Sequence, residues 1–596
     1  MPTVIRPVSN LERSYIILQS VSNYSNLGFT VRYKWDELYT LNSNTNSVNT
    51  ELSKKLILQV LYPTLTNLLQ DLPNLSVSIR NVNSAKPLFI GLDEIDLSSV
   101  VKFVSVSSSQ DLEKLLEQEH DSKFNLEDET RPLWRVIVGI NKYEISRDSS
   151  GNGEDSGVDV SEKTRRPDYD FCIVFCWNHV IGDEMSAFAI QGMFLKVLKQ
   201  ALQEYNATPK RTTQPYLPSS KILTKNMFTK MCDPIEDLRD LQPSLLTIIK
   251  EGCTEFLLPS FLQKQLTGQY WAGDKHINDT PYYQNRVKMF SLPQRSYEKL
   301  VAVIESNNST FQSVLNTAVL FSSYHHLLTF GEIKSRKFRN RKRAITATSN
   351  NTLKIMTPVS LRNHITPELP WSTMGNFTAE FLFSQNAKTQ VPKEQSGQQY
   401  QFLGVVSHEY KDLETFFRNK SKPYPNGRGF SIMPSNLGKF PNLEFELPEE
   451  PAPEVMLPVT LKSERQSSLL DLIEEDNKNS AFSSLSGNEY YGFGNNQSNY
   501  NSDSSFSDCS SSDAGDFGSA SNWEVVDMIF SQSVWSDGPA ICLNAVTYEN
   551  RFNFTITYQE GSVDEDKVDR LGDGIVKCLR IVAERGDSDI NDIIFM

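Results

Sequence analysis

Cysteine and histidine are scarce in this chain, and no long apolar run interrupts it. Seven cysteines in 596 residues, odd in number and scattered, do not make a disulfide framework. No stretch of about 18 or more uncharged apolar residues occurs, so no transmembrane helix is expected. The opening residues, MPTVIRPVSNLERSYIILQS, lack the basic region, apolar region and small-residue cleavage site of a secretory signal. Together these absences lead to the expectation of a reducing, cytoplasmic setting. A formal net charge of −14 excludes general nucleic-acid binding, because a phosphate backbone would be repelled. Familiar catalytic signatures are missing too: no G-x-S-x-G, no G-x-x-x-x-G-K-[ST], no H-E-x-x-H and no paired C-x-x-C. Gly151, Gly153 and Gly157 lie in a polar loop with no strand before them, and Asp516-Phe517-Gly518 sits in low-complexity sequence. His325 and His326, adjacent on a helix, point about 100° apart and cannot share an ion. No metal is expected.

What is present is a long alternation of helical and strand patterns, too much chain for one core, so two lobes or more are expected. The first part predicts a helix near 11–21, strands at 28–33, 75–79, 100–106 and 132–138, and amphipathic helices at 52–68 and 111–119. Residues 145–169 turn to Ser, Gly, Asp and Lys, as in a loop insertion. A Pro-interrupted stretch, 206–284, reads as a crossover. Strands follow at 287–292, 353–359 and 377–383, with helices at 293–306 and 310–330. The basic run Lys334–Arg343 reads as a solvated loop, with CoA phosphates, an anionic membrane or an import receptor as alternatives. Residues 447–521 are dominated by Ser, Asn, Asp and Gly, a composition that cannot offset the entropy of ordering, so this insertion is expected to be disordered. Strands resume at 525–530, 540–547 and 552–558. An amphipathic helix over 568–582 would pack on the second lobe or lie on an ER or lipid-droplet membrane.

One stretch carries the chemistry. Phe171–Trp177 is a continuous apolar run, as in a strand buried on both faces. It breaks at Asn178-His179-Val180-Ile181-Gly182-Asp183, and helical spacing resumes after it. A strand–turn–helix junction places polar side chains at a cleft mouth, which makes His179 the leading catalytic candidate. Gly182 permits a tight turn, and Asp183 stands where a carboxylate caps a helix. Cys172 and Cys176, on the same strand, read as core residues. His408 and Asp412 repeat the spacing within a charged segment and are set aside as coincidence.

His179 with Asp183 forms an H-x-x-x-D pattern that resembles the CoA-dependent acyltransferase superfamily, which includes chloramphenicol acetyltransferase, plant BAHD enzymes and condensation domains. The likeness is nearer to the fungal alcohol acetyltransferases. It rests also on Leu11-Glu12-Arg13 with Asn23-Tyr24-Ser25-Asn26, on Pro132-Leu133-Trp134-Arg135, on Thr357–Arg362 with Gly375-Asn376-Phe377, and on Ser435-Asn436-Leu437-Gly438. The resemblance implies an α/β fold of two chloramphenicol-acetyltransferase-like lobes, 1–205 and 285–446 with 522–596, around a central tunnel. It implies that His179 is the general base, that Asp183 pairs with Arg362 across the lobes, and that Ser435 and Asn436 line the tunnel or help hold the oxyanion. It implies acetyl-CoA as co-substrate, no covalent acyl-enzyme, a monomer, and a small alcohol as acceptor. A long-chain, sphingoid-like amine is the alternative acceptor. A silent membrane or protein adaptor is the alternative of another class.

Overall fold

The apolar run Phe171–Trp177 forms a strand in which every residue is buried, as the absence of any polar alternation requires. The computed structural model describes residues 2–43, 50–141, 167–207, 217–225, 230–239, 270–279, 283–328, 352–365, 367–386, 424–442 and 522–585. The polar insertion up to residue 166, the basic run Lys334–Arg343, the pair His408 and Asp412, and 447–521 lie outside the described residues.

Phe171–Trp177 is the middle strand of a five-stranded sheet, ordered Trp523–Gln532, Leu27–Trp35, Phe171–Trp177, Trp134–Asn141, Val101–Val106. All neighbours are antiparallel except the last pair. Leu27 and Trp134 flank Trp177 in register, so three strands are level where the chain leaves the sheet at Asn178. Helices Thr50–Asp71 and Ser186–Ala207 pack on each other and share one core with this sheet. Helix Ser109–Asp121 covers a second core with Leu112, Leu115 and Leu116, against Cys172, Val174 and Cys176. Both cysteines are free and fully buried, and burial pushes their thiols up to about 11 and about 12.

A six-stranded sheet builds the second lobe, ordered Asn285–Leu292, Arg551–Gln559, Pro539–Tyr548, Phe430–Lys439, Thr352–Ser360, Thr378–Asn386. Helices Gln294–Ser306, Phe311–His326 and Glu565–Arg585 share its core. In the last of these, Val568, Leu571, Ile575 and Leu579 are the buried stripe. The apolar face that the sequence left open to a membrane is therefore covered by the lobe itself. Among the described residues no helix is long and apolar enough to cross a membrane.

Two groupings differ from expectation. Trp523–Gln532, grouped by sequence with the second lobe, pairs residue by residue with Leu27–Trp35 at the edge of the first sheet. It also touches the second sheet: Asn553 donates to the Met528 carbonyl at 2.9 Å and Thr555 to the Phe530 carbonyl at 2.8 Å. These buried bonds join the lobes through backbone groups the first sheet leaves free. The expected crossover, where described, is divided between the lobes: Lys221–Leu223 pairs with Glu94–Asp96 of the first, and Trp271 N donates to the Thr352 carbonyl of the second at 2.9 Å. Ile235 packs with Leu11 and Phe377.

Candidate active site

At the end of Phe171–Trp177 the chain makes a single 3₁₀ turn, His179–Ile181, and the helix begins only at Ser186. Asn178 caps the turn, its side-chain oxygen accepting from Val180 N at 3.0 Å. Its amide donates to Gln19 at 2.8 Å, which ties the turn to helix Asn10–Ser22. Gly182 is extended (φ 177°), a conformation open to any residue. Space is what demands glycine there, since a Cβ would stand 2.7 Å from Ser186 Oγ and 3.1 Å from Met374 Cε.

Asp183 is 0% exposed and Arg362 only 3%. The guanidinium meets the carboxylate in a two-pronged pair, Nη2 to Oδ1 at 2.8 Å and Nη1 to Oδ2 at 2.9 Å. Asp183 Oδ2 also accepts from Phe377 N and the Thr378 hydroxyl, and Oδ1 from Ser186 N and Oγ. Burial pushes the Asp183 carboxyl up, but the Arg362 charge and these donors outweigh it and hold it below the usual carboxylate value. Such a carboxylate is occupied on every side. It joins the turn of the first lobe to Arg362, which follows strand Thr352–Ser360 of the second.

His179 is 4% exposed. Tyr15 stacks on its ring, with centroids 3.6 Å apart and planes 12° from parallel. Its Nδ1 lies 3.1 Å from Asn376 Oδ1. The Asn376 amide donates to the carbonyls of His179 at 3.0 Å and Val180 at 3.1 Å. Those two bonds fix which end of the Asn376 side chain is oxygen, so His179 Nδ1 must carry the hydrogen and Nε2 the lone pair. On the Nε2 side stands Glu184, its Oε1 3.6 Å away.

His179 and Glu184 line a cavity between elements of the two lobes. Its apolar wall comes from Leu11 and Leu18 of the first lobe and Met356, Phe430 and Met433 of the second. Its polar wall is acidic: Glu184, Glu380 and Asp537 line it beside His179, with no lysine or arginine among the described lining residues. Tyr24 and Trp535 close one end with rings 4.8 Å apart. The Tyr24 hydroxyl donates to Gln532 at 2.8 Å. Burial, then the Glu184 charge, pushes the Tyr15 and Tyr24 phenols well above their ordinary value, so both stay neutral donors.

The structure thus brings together His179, Gly182, Asp183 and Arg362, and leaves Ser435 and Asn436 outside the cavity lining. Both lie on strand Phe430–Lys439, where Ser435 is opposite Asn544 and the Asn436 amide donates to Gln312 at 3.0 Å. Sequence reasoning assigned no role to Tyr15, Glu184, Asn376, Glu380, Trp535 or Asp537. Asn376 stood inside a quoted segment and Glu184 beside Asp183, but single polar residues in turns carry no periodic signal. Among the described residues no cluster of three or more His, Cys, Asp or Glu side chains is placed to hold a metal ion.

No family model matches the chain. An uncharacterized protein of Schizosaccharomyces pombe, C18B11.03c, is 23% identical over 389 residues, which cover 64% of this chain and 74% of the relative. Among solved structures, the trichothecene 15-O-acetyltransferase of Fusarium sporotrichioides superposes with a TM-score of 0.54 at 10% identity, over 97% of this chain and 94% of that one. The first condensation domain of the calcium-dependent antibiotic synthetase superposes with a TM-score of 0.45 at 8% identity, over 100% of this chain and 99% of that one. The likeness is one of fold: the chain has the mixed α/β, chloramphenicol-acetyltransferase-like architecture.

Proposed function

We propose that the chain is an acyl-CoA-dependent acyltransferase that moves an acetyl group from acetyl-CoA to an alcohol, with His179 as general base. The observation that carries this reading is that Asn376 holds the Nδ1 side of His179 while the side chain lines a cavity, so the neutral ring would offer Nε2 as the base. Nε2 takes the proton of the acceptor hydroxyl, and the oxygen attacks the thioester carbonyl. The tetrahedral oxyanion collapses, the carbon–sulfur bond breaks, and the proton on His179 returns to the departing CoA thiolate. No side chain is acylated. Both lobes wall the cavity, which supports a role in holding two substrates close to one base. Asp183, occupied by Arg362, acts as the strut of the turn and passes no proton.

A second reading, transfer to an amine, draws support from the acidic lining. Glu184, Glu380 and Asp537 would attract an acceptor that arrives as an ammonium ion.

Both readings are tested by mixing the purified chain with acetyl-CoA and a panel of alcohols and long-chain amines, and following release of free thiol. His179→Ala should lower kcat by about 10²–10⁴-fold, the usual contribution of a general base. A near-normal rate in that variant removes His179 from the chemistry. No thiol release with any acceptor favours the silent adaptor.

A further inference from the structure

Asp183 makes no hydrogen bond to His179, since both of its oxygens are taken by Arg362, Phe377, Thr378 and Ser186. The next residue is placed differently. Glu184 is 8% exposed and lines the cavity. The Thr378 hydroxyl, shared with Asp183, reaches its Oε2 at 3.3 Å and turns Oε1 toward His179 Nε2 at 3.6 Å. The carboxylate therefore stands on the side of the ring where a proton would arrive, opposite the Nδ1 side that Asn376 holds.

We propose that Glu184 is a positioning residue that acts through His179, its carboxylate stabilising the imidazolium that proton transfer creates. This rests on the reading of His179 as the base. Two lone pairs facing each other at 3.6 Å gain nothing, whereas an imidazolium N–H and a carboxylate at that distance attract strongly in a site with little water. The carboxylate thus favours the state that follows proton abstraction over the state that precedes it, which is what catalysis requires of a neighbouring group. The other groups facing the ring do not supply this. Tyr15 covers its face and Tyr24 its edge, both as neutral phenols. Asp183 is ion-paired with Arg362, and no contact joins Glu380 or Asp537 to the ring among the described residues.

Glu184→Gln removes the charge while keeping the size and the bond from Thr378. The His179 imidazole, followed by NMR through a pH titration, should lose its proton at lower pH in the variant than in the parent, because an opposite charge within reach favours the protonated form. The acid limb of the kcat/KM profile should move to lower pH by the same amount, and plateau kcat should fall about tenfold. Glu184→Asp, which keeps the charge on a shorter arm, should recover part of both. An unchanged titration in Glu184→Gln overturns the proposal, as does a variant that loses only thermal stability. A rise in KM confined to amine acceptors, with the titration unmoved, overturns it in favour of acceptor recognition. The NMR titration needs no turnover, so it decides the pairing even where the parent protein acylates nothing, the result that would sink the acyltransferase reading itself.

Discussion

Arg362→Met removes the guanidinium from the knot that holds the His179–Asp183 turn to the second lobe. The variant side chain fills a similar volume but leaves Asp183, 0% exposed, with four donors in place of six: Phe377 N, the Thr378 hydroxyl, and Ser186 N and Oγ. Removing one partner of a buried ion pair costs about 3–5 kcal/mol. The surviving donors favour the lower end, about 3 kcal/mol. The pH dependence gives a sharper test. In the parent, burial raises the Asp183 carboxyl but Arg362 and the donors bring it below the ordinary value, so its stabilisation is present above about pH 4 and lost as pH falls below that. Without Arg362, burial is opposed by less and the folded-state value rises above the unfolded one. The penalty is then absent below about pH 4 and grows as pH rises. Urea midpoints should therefore separate parent and variant widely at about pH 7.5 and draw together toward about pH 4.5. A loss under about 1 kcal/mol, or a gap that stays constant with pH, would refute the reasoning. Asp183→Asn in the Arg362→Met background should restore part of the loss, a coupling that a double-mutant cycle measures.

Asn376→Ala should free the His179 ring to rotate or change tautomer and lower kcat about 10²-fold through misplacement of the base, with thiol release as the readout. The same change strands two buried carbonyls and should cost about 1–3 kcal/mol by urea denaturation. His120 is held neutral by burial first and then by the Arg135 charge, its value pushed down to about 3. It lies against Asn26 at 2.6 Å and Ser531 at 2.9 Å. Because the unfolded chain binds a proton there more readily, stability should fall as pH drops from about 6.5 toward 3. In His120→Gln the loss over that window should be smaller, as measured by unfolding midpoints across the acid range.

Most elements of this fold could be read from the amino-acid pattern, because burial imposes a period of 2 on strands and 3.6 on helices. The helices over Val568–Val582 and Leu112–Leu116 show the helical period, while Phe171–Trp177, buried on both faces, was legible as an unbroken apolar run. The pattern says which face of an element is buried and not what covers it, so Trp523–Gln532 was legible as a strand but not as part of the first sheet. Proximity of the polar turn His179–Asp183 to Arg362 was legible through a family likeness, since 179 residues separate the ion-paired side chains. Ser435 shares a face with the cavity residue Met433 but stands about 7 Å farther along the strand, and Asn436 points to the other face, toward Gln312. Glu184 and Asn376 came to light only with coordinates, because a hydrogen bond between two turns leaves no trace in the spacing of either.

Trp523–Gln532 has a consequence for how the chain is born. On the ribosome, the strands Leu27–Trp35, Trp134–Asn141 and Phe171–Trp177 emerge first, and the partner that completes their sheet follows only when Trp523–Gln532 has been made. At usual elongation speeds the wait is on the order of tens of seconds. Throughout it the edge of Leu27–Trp35 offers unpaired backbone groups to any passing strand, the situation in which nascent chains aggregate or call on chaperones. A ribosome stalled before residue 523 would carry the whole HxxxD turn but neither the strand that closes its sheet nor the bonds from Asn553 and Thr555 that join the halves. The site around His179 can come into being only once the chain has been made as far as Thr555.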